Sequence, residues 1–152
     1  MESLASIRAW LLSNRELCVE ALRIYLGFGL FLKGLNFIFS AQGVAAYYQG
    51  SLNLPFMSYV MVHFIGMVHI CGGLLLCIGL LTRVAALFQL PVVFAAVMLV
   101  HWPEGLFSME STLEFDLLVL FLLTFFLIYG SGKLSVDFAL DRRRQAPISN
   151  EK

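Results

Sequence analysis

The residues of this chain that could do chemistry are polar groups set inside stretches almost free of charge. Lys33 and Asn36 share one such stretch and His63 and His69 a second; His101 closes a third, and Glu114 opens a fourth, with Asp116 two positions on. Histidine changes charge near neutral pH, so it can exchange protons with a redox carrier. In hydrocarbon it can also donate to the carbonyl of a quinone, whose sites are apolar with a few placed polar groups. Lys33, Asn36, His63, His69, His101 and Glu114 are therefore candidates for a ligand pocket. The structural alternative is a Lys33–Glu114 pair, with the histidines hydrogen-bonded across helices. Glu114 and Asp116 point some 200° apart on a helix, so only one can face inward. A second set, Glu20, Arg23, Arg83 and Asp137, lies near segment ends and reads as ion pairs that fasten helices.

Other chemistries find no support. Cys18, Cys71 and Cys77 form no C-x-x-C pair, which argues against disulfide exchange. His63 and His101 could approach one another as axial haem ligands, but no further feature supports haem. The Glu-x-x-His repeats of a di-iron bundle are missing, and no metal site is expected. No phosphate-binding glycine loop, serine nucleophile motif or nucleic-acid-binding patch is present, and no residue is assigned a catalytic role.

Transmembrane helices are the elements that must position these residues. Sixty per cent of the 152 residues are hydrophobic and 13% charged, too apolar for a water-soluble domain of this size. No Asp, Glu, Lys or Arg occurs from Gly34 to Thr82, from Val84 to Pro103, or from Leu117 to Gly132. A span needs about 20 apolar residues, which predicts spans at roughly 20–40, 57–81, 84–101 and 113–130. The fold class is all-α, a single four-helix transmembrane bundle over 1–140. Residues 3–17 read as an interfacial helix, 41–56 and 102–112 as connections, and 141–152 as a basic polar tail without structure. Apart from Lys33, every Lys and Arg falls before or early in span one, at Arg83, or after span four, so both termini are expected in the cytoplasm. Gly66, Gly73 and Cys77 form a small-residue stripe on span two that faces the bundle and carries His63 and His69 with it. Gln89 and Pro91 are expected to mark a kink.

Several segments together resemble one family. Leu22-Arg23-Ile24 through Gly34, His69-Ile-Cys-Gly-Gly through Gly-Leu-Leu-Thr-Arg83, His101-Trp-Pro-Glu-Gly-Leu-Phe107 and Gly130-Ser-Gly-Lys-Leu-Ser-Val-Asp137 are similar to the DoxX family over about 19–140. The resemblance implies a four-span protein of the bacterial inner membrane. It further implies association with membrane redox complexes, thiosulfate:quinone oxidoreductases among them. By motif, Arg23, Arg83, Glu114 and Asp137 match recurring polar positions of the family. His69 stands where the family often has Glu, and Phe37 where a Lys commonly follows the first-span glycine; Lys33 lies beside that glycine.

The expected function is a subunit of a redox complex that contributes to quinone binding or anchors a redox partner. Its environment is the lipid bilayer, its partners are other membrane or redox proteins, and it has no intrinsic cofactor beyond a bound quinone. A non-catalytic scaffold is the alternative, and a small transporter, hinted at by Pro91, ranks third.

Overall fold

The computed structural model describes residues 15–50, 59–101, 113–132 and 135–145, nearly all of them helical, with no strand among them. The helices are α1 (Arg15–Phe39), α2 (Ala41–Gly50), α3 (Tyr59–Ile78), α4 (Thr82–Ala96), α5 (Leu113–Tyr129) and α6 (Val136–Gln145). Three stretches, Glu16–Phe39, Tyr59–Ile78 and Thr82–Leu99, are long and apolar enough to cross a membrane.

The helices pack in the circular order α1, α3, α4, α5, and α5 touches α1 only lightly. Neighbours are antiparallel. The first residues of α1 and α4 therefore share an end with the last residues of α3 and α5. Each helix buries a narrow stripe at helical spacing: Glu20, Arg23, Leu26 and Leu30 on α1; Val62, Gly66, His69, Gly73 and Leu76 on α3; Thr82, Ala86, Gln89 and Val93 on α4; Leu113, Asp116, Val119, Leu123 and Phe126 on α5. Large apolar side chains such as Tyr25, Val60, Phe88, Phe121 and Ile128 face outward instead. This pattern suits lipid, in which close backbone packing and polar contacts drive helix association more than apolar burial does.

The α1–α3 contact shows the principle. Glycines seven residues apart on each helix meet in reciprocal antiparallel pairs, Gly27 against Gly73 and Gly34 against Gly66. A methyl at Gly73 would stand 2.6 Å from the Gly27 carbonyl and 2.6 Å from the Phe31 nitrogen. The Cys77 thiol donates to the Ile24 carbonyl at 3.5 Å along the same seam.

Several segments differ from the sequence expectation. Ala41–Gly50, expected as part of a loop, is helical, because Ala41 and Ala45 lie one turn apart and pack with Val62. The backbone bonds from Ser40 to Asn36 and from Val44 to Ser40 nearly fuse α2 to α1. Residues 15–17 belong to α1 itself; 3–14 lie outside the described residues, as do the 102–112 connection and Trp10 and Trp102. The helix α6 reaches five residues into the segment expected to be an unstructured tail. Its start is capped by Ser135, whose hydroxyl accepts from the Phe138 amide at 3.1 Å. Helix α4 runs through Pro91 and widens into a π turn at Val97–His101. Gln89 serves packing, its amide donating to the Val68 and His69 carbonyls at 3.1 and 3.4 Å.

The glycine contacts predict opposite outcomes for one chemical change. Gly73→Ala should destabilise the protein by about 1–3 kcal/mol through overpacking against backbone. Gly29→Ala, whose methyl meets nothing within 4 Å, should stabilise by about 0.5–1 kcal/mol. Unfolding in mixed micelles, followed by ellipticity, checks both.

Candidate functional site

At the end where α1 and α4 begin, four segments converge on one buried guanidinium. Arg23 is 1% exposed and pairs with Glu20, one turn earlier on α1. Its Nη1 donates at 3.2 Å to the carbonyl of Leu76, in the last turn of α3, where carbonyls lack the usual amide four residues on. Gly79 ends α3 in a left-handed conformation (φ 67°), with its amide bonded to Leu76 and that of Leu80 to Leu75, the Schellman pattern. A methyl at Gly79 would overlap the Arg23 guanidinium and lie 2.6 Å from Ser135 Cβ. A methyl at Gly132 would likewise overlap the Glu20 carboxylate.

The start of α4 is closed from outside its own segment. Leu81 has φ 49°, a strained value for a branched residue. The Asp137 carboxylate accepts from the Leu81 amide at 2.7 Å and the Thr82 amide at 3.1 Å, as an N-cap would. The Asp137 amide in turn donates to the Gly79 carbonyl at 3.1 Å. Arg83 donates at 3.2 Å to the Ile128 carbonyl near the C-terminus of α5, where positive charge also suits the helix dipole. Glu20, Arg23, Arg83 and Asp137 thus meet at one end of the bundle. Among the described residues Glu20 and Arg23 form an ion pair, whereas Arg83 and Asp137 bond to backbone groups.

The second polar group lies toward the other end, in the loose seam between α1 and α5. Lys33 Nζ is 3.0 Å from Asp116 Oδ1; Asp116 is buried and Lys33 about one-third exposed. Both line a cleft with about 60 Å³ of free space, with Leu30 and Val119 in its walls and His69 of α3 behind them. Tyr25, Phe115 and Leu118 at its mouth are exposed on the outer surface. His69 is buried and stacks on Phe37, with ring centroids 6.0 Å apart. Its Nδ1 lies 3.0 Å from the Ile65 carbonyl. A carbonyl only accepts, so the proton sits on Nδ1 and Nε2 is left as the acceptor.

The structure corrects the expected Lys33–Glu114 pairing. Asp116 is the inward carboxylate and Glu114 is exposed, because the buried stripe of α5 runs Leu113, Asp116, Val119, Leu123. His63 is half-buried and lies outside the cleft walls, its Nδ1 3.0 Å from the Tyr59 carbonyl and its ring 4.1 Å from that of Tyr59. Asn36 is exposed. The His101 side chain lies outside the described residues. The hydrogen bonds of Gln89 and Ser135 carry no signal in the sequence, and Asp116 was weighed only as the rival of Glu114. The three-and-four spacing from Leu113 to Phe126 would have chosen Asp116.

A buried small-residue seam, an apolar exterior and polar groups held only at particular depths define a multi-pass helical membrane protein. A family model described as DoxX matches residues 18–102, more than half of the chain. The chain belongs to the DoxX family. The match runs from α1 to the end of the π turn, and α5 and α6 lie beyond it. Comparisons with curated proteins and with solved structures gave no match.

The buried pair carries its own test. Arg23→Met leaves a buried carboxylate behind and should cost about 3–5 kcal/mol, whereas Glu20→Met with Arg23→Met together should recover much of that loss. A thermal-stability double-mutant cycle in detergent reads the difference.

Proposed function

We propose that this protein is a four-span subunit of a redox complex in a bacterial inner membrane. Both termini lie in the cytoplasm, and the Lys33–Asp116–His69 cleft takes the carbonyl end of a membrane quinone. The supporting observation is the cleft itself. It sets a cation, a carboxylate and an imidazole among apolar walls, and its mouth faces the lipid side of the α1–α5 seam. A quinone carbonyl would accept from Lys33 Nζ, and proton exchange during its reduction would involve His69 and Asp116. As a fourth span, α5 has 17 residues, about 26 Å at 1.5 Å per residue. It is antiparallel to the long apolar helix α4 and carries no charge after Asp116.

A second reading has an observation of its own. About 60 Å³ is well below the size of most ligand sites, and the Lys33–Asp116 pair bridges the most weakly packed seam of the bundle. On this reading the pair is a clamp, and the protein is a scaffold for redox partners.

Quinone retention separates the two readings. Protein purified from native membranes in mild detergent should carry about one quinone per chain by mass spectrometry. Lys33→Met should lower that occupancy about tenfold, the worth of a charge-assisted hydrogen bond. Occupancy near zero in the unaltered protein, with partner proteins still attached, favours the scaffold. For topology, single cysteines at Gln49 and Arg142 in a cysteine-free background should label from opposite sides with an impermeant maleimide. Labelling from one side would overturn the four-span arrangement.

A further inference from the structure

The cleft between α1 and α5 holds an acceptor that none of the described residues uses. His69 is 4% exposed, and its Nδ1–H is taken by the Ile65 carbonyl. Phe37 covers one face of the ring. Nε2 has no hydrogen-bond partner among the described residues, yet it keeps accessible surface, unlike the enclosed Gln89 Oε1 and Thr82 Oγ1. His69 lines the cleft, so that surface opens into it. Lys33 supplies the complementary donor. Its ammonium is about one-third exposed, and of its three N–H groups it gives one to Asp116 at 3.0 Å. Asp116 is engaged by Lys33, which leaves the imidazole as the acceptor facing a ligand.

We infer that the cleft prefers the reduced form of its ligand: a quinol hydroxyl donates to His69 Nε2 and accepts from Lys33 Nζ. A quinone oxygen can only accept, so it satisfies Lys33 and leaves Nε2 bare, whereas a hydroxyl serves both. Resting on the quinone site proposed above, this preference fixes the oxidation state held more tightly. The space fits one oxygen. A water's share of liquid volume is about 30 Å³, so about 60 Å³ admits a hydroxyl and the carbon that carries it, with the ring outside. Gly29 makes room for that ring. It lies on α1 between Tyr25 and Lys33, about one turn from each, and a methyl there would meet nothing within 4 Å. The ring rests in this notch against Phe115 and Leu118 of α5, which are exposed on the outer surface. A site that holds the quinol more tightly makes the quinone bound there easier to reduce than the free carrier, by linkage. It therefore fits a partner that delivers electrons to the membrane.

The test is anaerobic equilibrium dialysis of the full chain in detergent against decylubiquinone and decylubiquinol, with protein-free micelles as the reference. The quinol should bind about tenfold more tightly, the worth of one hydrogen bond. His69→Phe keeps a ring beside Phe37 but offers no acceptor, and it should lower quinol affinity about tenfold and quinone affinity far less. Should His69→Phe fail to fold, the imidazole itself gives a direct readout. In a His63→Gln, His101→Gln protein, His69 is the one histidine left. Its nitrogen NMR spectrum should show the proton on Nδ1, and the bare Nε2 signal should move upfield with the quinol and stay in place with the quinone. Equal affinities overturn the preference and leave the quinone site standing, with the imidazole served by water. A proton on Nε2, or an undiminished quinol preference in His69→Phe, also overturns it. Binding of neither form overturns the preference and the quinone site together.

Discussion

Hydrocarbon offers no hydrogen bonds, so each backbone group left over at a helix end must find a partner in the protein or at the membrane surface. Among the described residues, three helix ends meet that demand at one place. Arg23 takes a terminal carbonyl of α3, Asp137 takes the first amides of α4, and Arg83 takes a carbonyl near the end of α5. Three charged side chains thereby close three helix ends, and the close approach of Gly79 makes room for Arg23, as that of Gly132 does for its partner Glu20. Charge here is a means of terminating helices inside a low-dielectric medium. The burial of Arg23 is tolerated because both Glu20 and a carbonyl meet it.

The opposite half of the bundle is organised differently. There, among the described residues, side chains join neighbouring helices: Gln89 ties α4 to two carbonyls of α3, and Lys33 reaches the buried Asp116 across a seam that little else closes. One end of the bundle is thus tightly locked, and the other is bounded by a lateral cleft. His69 extends the polar surface of that cleft from a third helix, and its tautomer is set by its own backbone.

Much of this was legible because lipid imposes simple rules on composition. The charge-free runs located the long helices, and the spacing of Gly66 and Gly73 marked the inward face of α3. The sequence reading lost accuracy where the side-chain environment depends on a neighbour's rotation. Glu114 and Asp116 are equally acidic, and only the stripe through Val119 and Leu123 distinguishes them. The partners of Gly66 and Gly73 could not be named until Gly27 and Gly34 were seen on the facing helix. Asp137 read as an ion-pair residue because charge is visible in a sequence, whereas the unsatisfied amides of Leu81 and Thr82 are not. Ala41–Gly50 read as a loop because it lies between two spans in a charge-free gap; Ala41 and Ala45, one turn apart, pack with Val62 in the helix it forms.

The reciprocal glycine pairs have a bearing on how the chain assembles. They join α1 to α3 and involve nothing from α4, α5 or α6, so these two helices can dock as soon as the second has emerged during synthesis. The setting of Arg23 is different, since it includes Gly79 and also Ser135, more than fifty residues later in the chain. A nascent protein thus acquires its α1–α3 contact as soon as α3 has emerged, but closes the setting of Arg23 only after α5 has followed and Ser135 has come into place.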